Sequence, residues 1–123
     1  MGDVKLVKVY VDDMVLAGES LAKDLKIPFD GVIYAGIVAI DKKDKIPPGE
    51  LRSGIAERTR TIRLSEYSYN ILHQFAINRD ITDEGAVNQI IKYLLRNPHI
   101  VQPYYHTRID VTSPKKISKS DYQ

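Results

Sequence analysis

A short alternating stretch followed by two helical stripes occurs twice in this chain, and that repeat sharply limits the folds open to it. Residues Lys5 to Val11 place Val7, Val9 and Val11 on one side and Lys8 and Tyr10 on the other, the period of a half-buried strand. Asp12 and Asp13 supply an N-cap and a first-turn carboxylate for a helix carrying Val15, Gly18, Leu21, Ala22 and Leu25. Pro28 ends that helix, and Asp30 is expected to cap a second one with the stripe Val32, Ile33, Ile37 and Ile40. The pattern then returns. Thr59 to Leu64 alternates, Ser65 caps a helix bearing Tyr69, Leu72, Phe75 and Ala76, and a break falls at Asn78-Arg79-Asp80, where Asn or Asp takes a left-handed turn. Thr82 caps a fourth helix with Ala86, Val87, Ile90, Ile91, Leu94 and Leu95, closed by Pro98.

Val9 and Val11 match Ile62 and Leu64 at an offset of about 53 residues. Val15, Leu21 and Ala22 match Tyr69, Phe75 and Ala76 at about 54, as Ile33 and Ile37 match Val87 and Ile91. A one-residue difference where strand meets helix is expected to account for the change. The division is therefore a first unit over 1–43, a linker over 44–57, a second unit over 58–98 and a tail over 99–123. The linker contains a charge run and Pro47-Pro48-Gly49, which forbids regular structure.

A lone strand leaves its backbone donors and acceptors without partners. Two units remove the problem together when their strands pair antiparallel and their four helices share one core. The sixteen or so residues between Lys42 and Arg58 reach ~50 Å at ~3.3 Å each, ample for both strands of one chain to meet. Tethering favours that pairing over exchange with a second copy. Val7, Val9 and Val11 then lie over Ile62 and Leu64. The expected class is α+β, mostly α. With 43% hydrophobic residues the chain has material for a core.

The segment Thr61-Ile62-Arg63-Leu64-Ser65-Glu66, with the Tyr69, Leu72, Phe75, Ala76 stripe after it, resembles the ribbon and first helix of the ribbon-helix-helix family, which includes the Arc and methionine repressors. The resemblance covers residues 58–97 well and 5–42 more loosely. It implies two tandem ribbon-helix-helix units, and the tandem form is similar to AvtR-like transcription regulators of viruses of thermophilic archaea. Such regulators lay a two-stranded ribbon in the major groove of double-stranded DNA. The implied base contacts are Lys8 and Tyr10 in the first unit and Thr59, Thr61 and Arg63 in the second, because arginine pairs bidentately with guanine and threonine offers a hydroxyl and a methyl. Leu6 shares that outward set and departs from the usual polar residue. Lys5, Arg58, Arg60 and Thr82 are the implied phosphate contacts. At the start of the second helices Asp83 and Glu84 would repel phosphate, and Pro28 and Phe29 replace the usual polar residues.

The net charge of +2 permits nucleic-acid binding without arguing for it. No cysteine is present, so disulfides, thiolate nucleophiles and cysteine-ligated metals are excluded. His73, His99 and His106 lack metal-ligand spacing and read as surface or half-buried histidines. No phosphate loop, serine-nucleophile motif or carboxylate pair stands out, so neither an enzyme nor a cofactor is expected. No leader or membrane span is evident, and the expected location is the cytoplasm of the cell or of a viral host. A second reading is an antitoxin whose tail, with Ile100, Val101, Tyr104, Tyr105, Ile109 and Val111, folds on a protein partner. A solubilising tail, or one adding phosphate contacts through Arg108, Lys115, Lys116 and Lys119, is as well supported. A third reading is a protein-interaction module with no nucleic-acid role. Self-association of further chains on longer DNA is compatible with the first.

Overall fold

The computed structural model describes residues 4–49 and 58–109. Over these, strand β1 (Val4–Tyr10) leads to helices α1 (Asp13–Leu25) and α2 (Phe29–Asp41), and strand β2 (Thr59–Ser65) to α3 (Glu66–Asn78) and α4 (Asp83–Arg96). A 3-10 turn at Pro98–Ile100 and a short helix α5 (Val101–Tyr105) follow. The architecture is mostly helical with one two-stranded antiparallel sheet.

β1 and β2 of the same chain pair in a register that sets Leu6 opposite Arg63, Val7 opposite Ile62, Lys8 opposite Thr61 and Val9 opposite Arg60. Val11 N–H extends the ladder to the Arg58 carbonyl at 2.9 Å. Val7, Val9, Ile62 and Leu64 are buried on the inner face. Because strand side chains alternate, that burial fixes every outward residue as well. Below the ribbon, Val15, Leu72, Ile33, Ile37, Ile90, Ile91 and Leu94 complete one core shared by both halves.

Helix starts follow local chemistry. Asp12 accepts from Val15 N–H, Ser65 from Ser68 N–H and Thr82 from Gly85 N–H. The expected cap at Asp30 is not used: Pro28 is the N-cap of α2, in extended conformation and with no side-chain bond, and Asp30 lies in the first turn. A proline has no N–H to satisfy there, and its carbonyl accepts from Gly31 and Val32. After α1, Lys26 adopts φ 60°, and after α3 Asp80 adopts φ 57°. In both places the next residue donates back into the helix, Ile27 to Ala22 and Ile81 to Ala76, each at 3.0 Å. The caps Asp12 and Ser65 are 53 residues apart and these left-handed residues 54 apart. Both helices have 13 residues, so the one-residue difference is Arg79, which separates the end of α3 from Asp80 where Lys26 follows α1 directly; it does not fall where strand meets helix.

Two segments outside the repeat pack on it. Ile46, in the expected linker, is buried, and its carbonyl accepts from Arg79 Nη2. From the expected tail, Val101 is fully buried and Ile100, Tyr104 and Ile109 are half-buried against the core. Asp44 joins both segments to α4: one carboxylate oxygen accepts from Tyr93 Oη at 2.9 Å and from Tyr104 Oη at 2.8 Å. Burial pushes both phenols up, with the Asp44 hydrogen bond and charge adding to it; Tyr104 reaches about 12. Among the described residues no helix is long and apolar enough to cross a membrane.

Candidate nucleic-acid interface

The outer face of the ribbon is where the expected base-contact residues converge. Lys8, Tyr10, Thr59, Thr61 and Arg63 all project from it, and all are exposed. Strand pairing aligns them in rows, Tyr10 with Thr59, Lys8 with Thr61 and Leu6 with Arg63. The row at the far end, Val4 with Ser65, belongs to the same face and was not among the expected sites. The alternation already carried that information, since Val4 lies two residues before Leu6. Lys8 and Arg63 bring two positive charges to the face, and no outward residue of either strand carries a carboxylate.

The expected phosphate contacts do not share one environment. Arg58 is exposed beside the end of the ladder. Lys5 is half-buried on the core-facing side, opposite Leu64. Arg60 is also on that side: its Nη1 lies 2.8 Å from Glu19 Oε2, and the guanidinium sits 4.6 Å from the Phe29 ring centroid. Its Nε is buried without a hydrogen-bond partner. Alternation explains the difference, because Arg60 follows the parity of Ile62 and Leu64; its guanidinium is paired with Glu19 while the side chain stays 40% exposed. Thr82 Oγ1 accepts from Gly85 N–H at 3.0 Å, so it acts as a helix cap.

The acidic residues at the starts of α2 and α4 are tied to the ribbon or to α3. Glu84 Oε2 accepts from Tyr10 N–H at 2.6 Å, on one outer edge of the ribbon. Asp30 Oδ2 faces Arg63 N–H at a longer 3.4 Å on the other. These two contacts occupy matching places in the repeat, and each satisfies an edge donor that would otherwise point to solvent. Asp83 instead accepts from Tyr69 Oη at 2.9 Å and lies 2.8 Å from His73 Nδ1. The hydrogen bond to Asp83, with burial and the carboxylate charge behind it, raises the Tyr69 phenol above its ordinary value. Sequence reading set Asp83 and Glu84 against phosphate at the start of α4 and took Asp30 as a cap. It had no signal for contacts spanning 74 and 33 residues.

His99 and His106 are exposed. Among the described residues no group of three or more His, Asp or Glu side chains is placed to hold a metal ion. Lys115, Lys116, Lys119 and Val111 lie outside the described residues. The apolar side chains expected to offer the tail to a protein partner, Ile100, Val101, Tyr104 and Ile109, are turned onto the chain's own core. Comparison with protein-family models, with curated proteins and with solved structures returns no match for this chain.

Proposed function

We propose that this chain is a sequence-specific double-stranded DNA-binding transcription regulator, a single-chain ribbon-helix-helix module that inserts the outer face of β1 and β2 into the major groove. One observation carries the reading: the outer face gathers Lys8, Arg63, Thr59 and Thr61 with no carboxylate of either strand, and core packing of the inner face sets its register. A B-form major groove, roughly 12 Å wide, admits a two-stranded ribbon and displays the hydrogen-bonding groups that such side chains read. Arg63 takes a guanine edge bidentately. Lys8, Tyr10, Thr59 and Thr61 contact neighbouring bases, and Arg58 lies against the backbone. The reading assigns the chain no catalytic step and needs no cofactor.

The test is binding to a duplex selected from a random pool, measured by fluorescence anisotropy. Arg63→Ala should cost about 1–3 kcal/mol on the selected site and relax the preference at one base pair. Arg58→Ala should weaken selected and unselected duplexes alike, and should reduce the salt dependence. Unchanged affinity and preference in Arg63→Ala would remove the ribbon from the interface.

A further inference from the structure

One end of the outer ribbon face is apolar. Val4 and Leu6 are 57% and 66% exposed, and with Thr61 and Arg63 they line a shallow concavity. Side chains two apart on a strand stand about 7 Å from each other on the same face, so the two form one patch. The opposite end of that face carries Tyr10 and Thr59. Core packing does not explain the patch, because the buried side chains of β1 are Val7 and Val9, on the other face. Two large aliphatic side chains side by side in solvent form a small apolar patch on an otherwise hydrogen-bonding face.

The occupant follows from the chemistry around them. Arg63 lies directly across from Leu6, Lys8 is the next outward residue of β1, and no outward residue of either strand is acidic. The surface therefore suits an anionic partner that also presents a small apolar group. In the major groove that group is the thymine 5-methyl, while guanine O6 and N7 suit the guanidinium beside it. We propose that Val4 and Leu6 form a subsite for thymine 5-methyl groups, adjacent to a guanine held by Arg63. The Tyr10 end has no equivalent subsite, so the preferred sequence is not palindromic. This inference rests on the DNA-binding reading above and specifies its target.

The experiment uses the full chain and a selected duplex. Each thymine in turn is replaced by deoxyuridine, which keeps every hydrogen-bonding group and removes only the methyl. Wild type should lose about three- to fivefold in affinity at one or two neighbouring positions, the worth of about one buried methyl group. Leu6→Ala, at an exposed strand position, should keep the melting curve and bind the thymine and uracil duplexes equally. Replacing the adjacent guanine by 7-deazaguanine should weaken wild type and leave Arg63→Ala unaffected. Uracil tolerated at every position of a specifically bound duplex would overturn the subsite and leave the DNA reading standing. A uracil penalty that persists in Leu6→Ala would overturn it as well. Failure of wild type to bind any duplex at low salt would overturn both. Self-association that Leu6→Ala abolishes would then assign the patch to a second copy of the chain.

Discussion

Helices α2 and α4 hold equivalent places in the repeat, yet α2 buries nine of its 13 residues and α4 six of its 14. The difference lies on the side away from the shared core. There α2 offers Gly31, Ala35 and Val38, and α5 closes over it: a Cβ on Gly31 would come within 2.6 Å of the Tyr105 ring. Tyr34 Oη donates to the Thr107 carbonyl and accepts from Ile109 N–H at 3.2 Å, binding the end of the described chain to the same helix. On α4 the corresponding side is polar. Asn88 donates to the Glu84 carbonyl, and Gln89 accepts from Arg79 Nη1 at 2.8 Å and packs on Gly49. A helix apolar all round must be covered, whereas an amphipathic one tolerates solvent. The two halves therefore share a plan and differ in what each requires from outside it.

The largest expected effect breaks the cover on α2. Ending the chain after Asn97 removes Val101, Tyr104 and their neighbours, and at ~1.5–3 kcal/mol for each large side chain this should cost roughly 5 kcal/mol. Chemical denaturation and size-exclusion chromatography should show a destabilised, self-associating product. A stable monomer would mean that α2 needs no cover.

Next comes the helix crossing itself. Gly36 and Ile90 are 54 residues apart and so equivalent in the repeat; a Cβ at Gly36 would lie 2.7–2.8 Å from Ile90 Cδ1 and Cβ. Gly36→Ile, which makes the two positions alike, should cost about 3 kcal/mol through overpacking. Pairing it with Ile90→Ala should recover part of that loss, a non-additivity expected only for residues in contact.

A smaller effect appears at alkaline pH. Tyr104 is held protonated up to about 12 in the folded state, chiefly by burial, against 10.0 for a free tyrosine. A raised pKa means the folded state keeps its proton longer, so this contribution is complete below pH 10 and is lost as pH rises through 12. Urea unfolding at pH 9 and pH 11 should show the decline. Tyr104→Phe should cost ~1 kcal/mol at pH 7, by loss of the hydrogen bond to Asp44, and should make the decline shallower.

The smallest effect compares the two left-handed residues. Lys26→Gly should stabilise the fold by about 0.5–1 kcal/mol, because glycine adopts positive φ without the cost a lysine carries. Asp80→Gly should gain less, since aspartate tolerates that conformation better. Equal gains in thermal unfolding would show that the two turns are strained alike.

Local signals made the repeat legible: strand alternation, three side-chain caps and the left-handed break at Asp80 all follow from residues within a few positions of one another. The outward set of the ribbon was legible for the same reason, since parity alone assigns Lys8, Tyr10, Thr59, Thr61 and Arg63 to one face. Parity also puts Arg60, an expected phosphate contact, on the other face, and only the fold brings Glu19 and Phe29 to it. Reading 99–123 as a tail missed a nearby clue. The run Gly31 to Ile40 contains no charged residue, more than one shared core can cover. Which segment covers it depended on the chain's path, as did the reach of Glu84 to Tyr10.

Pairing of β1 with β2 inside one chain has a consequence for dose. A ribbon assembled from two separate copies is lost on dilution, and its amount falls with the square of protein concentration when copies are scarce. Here both strands arrive on the same molecule, so the fraction of chains with a formed ribbon is the same at one copy per cell as at a thousand. On the DNA-binding function proposed above, occupancy of a single site should then rise hyperbolically, without a threshold. The two halves are also released from having to match themselves, and Gly36 against Ile90 is a contact that a self-pairing unit could not use.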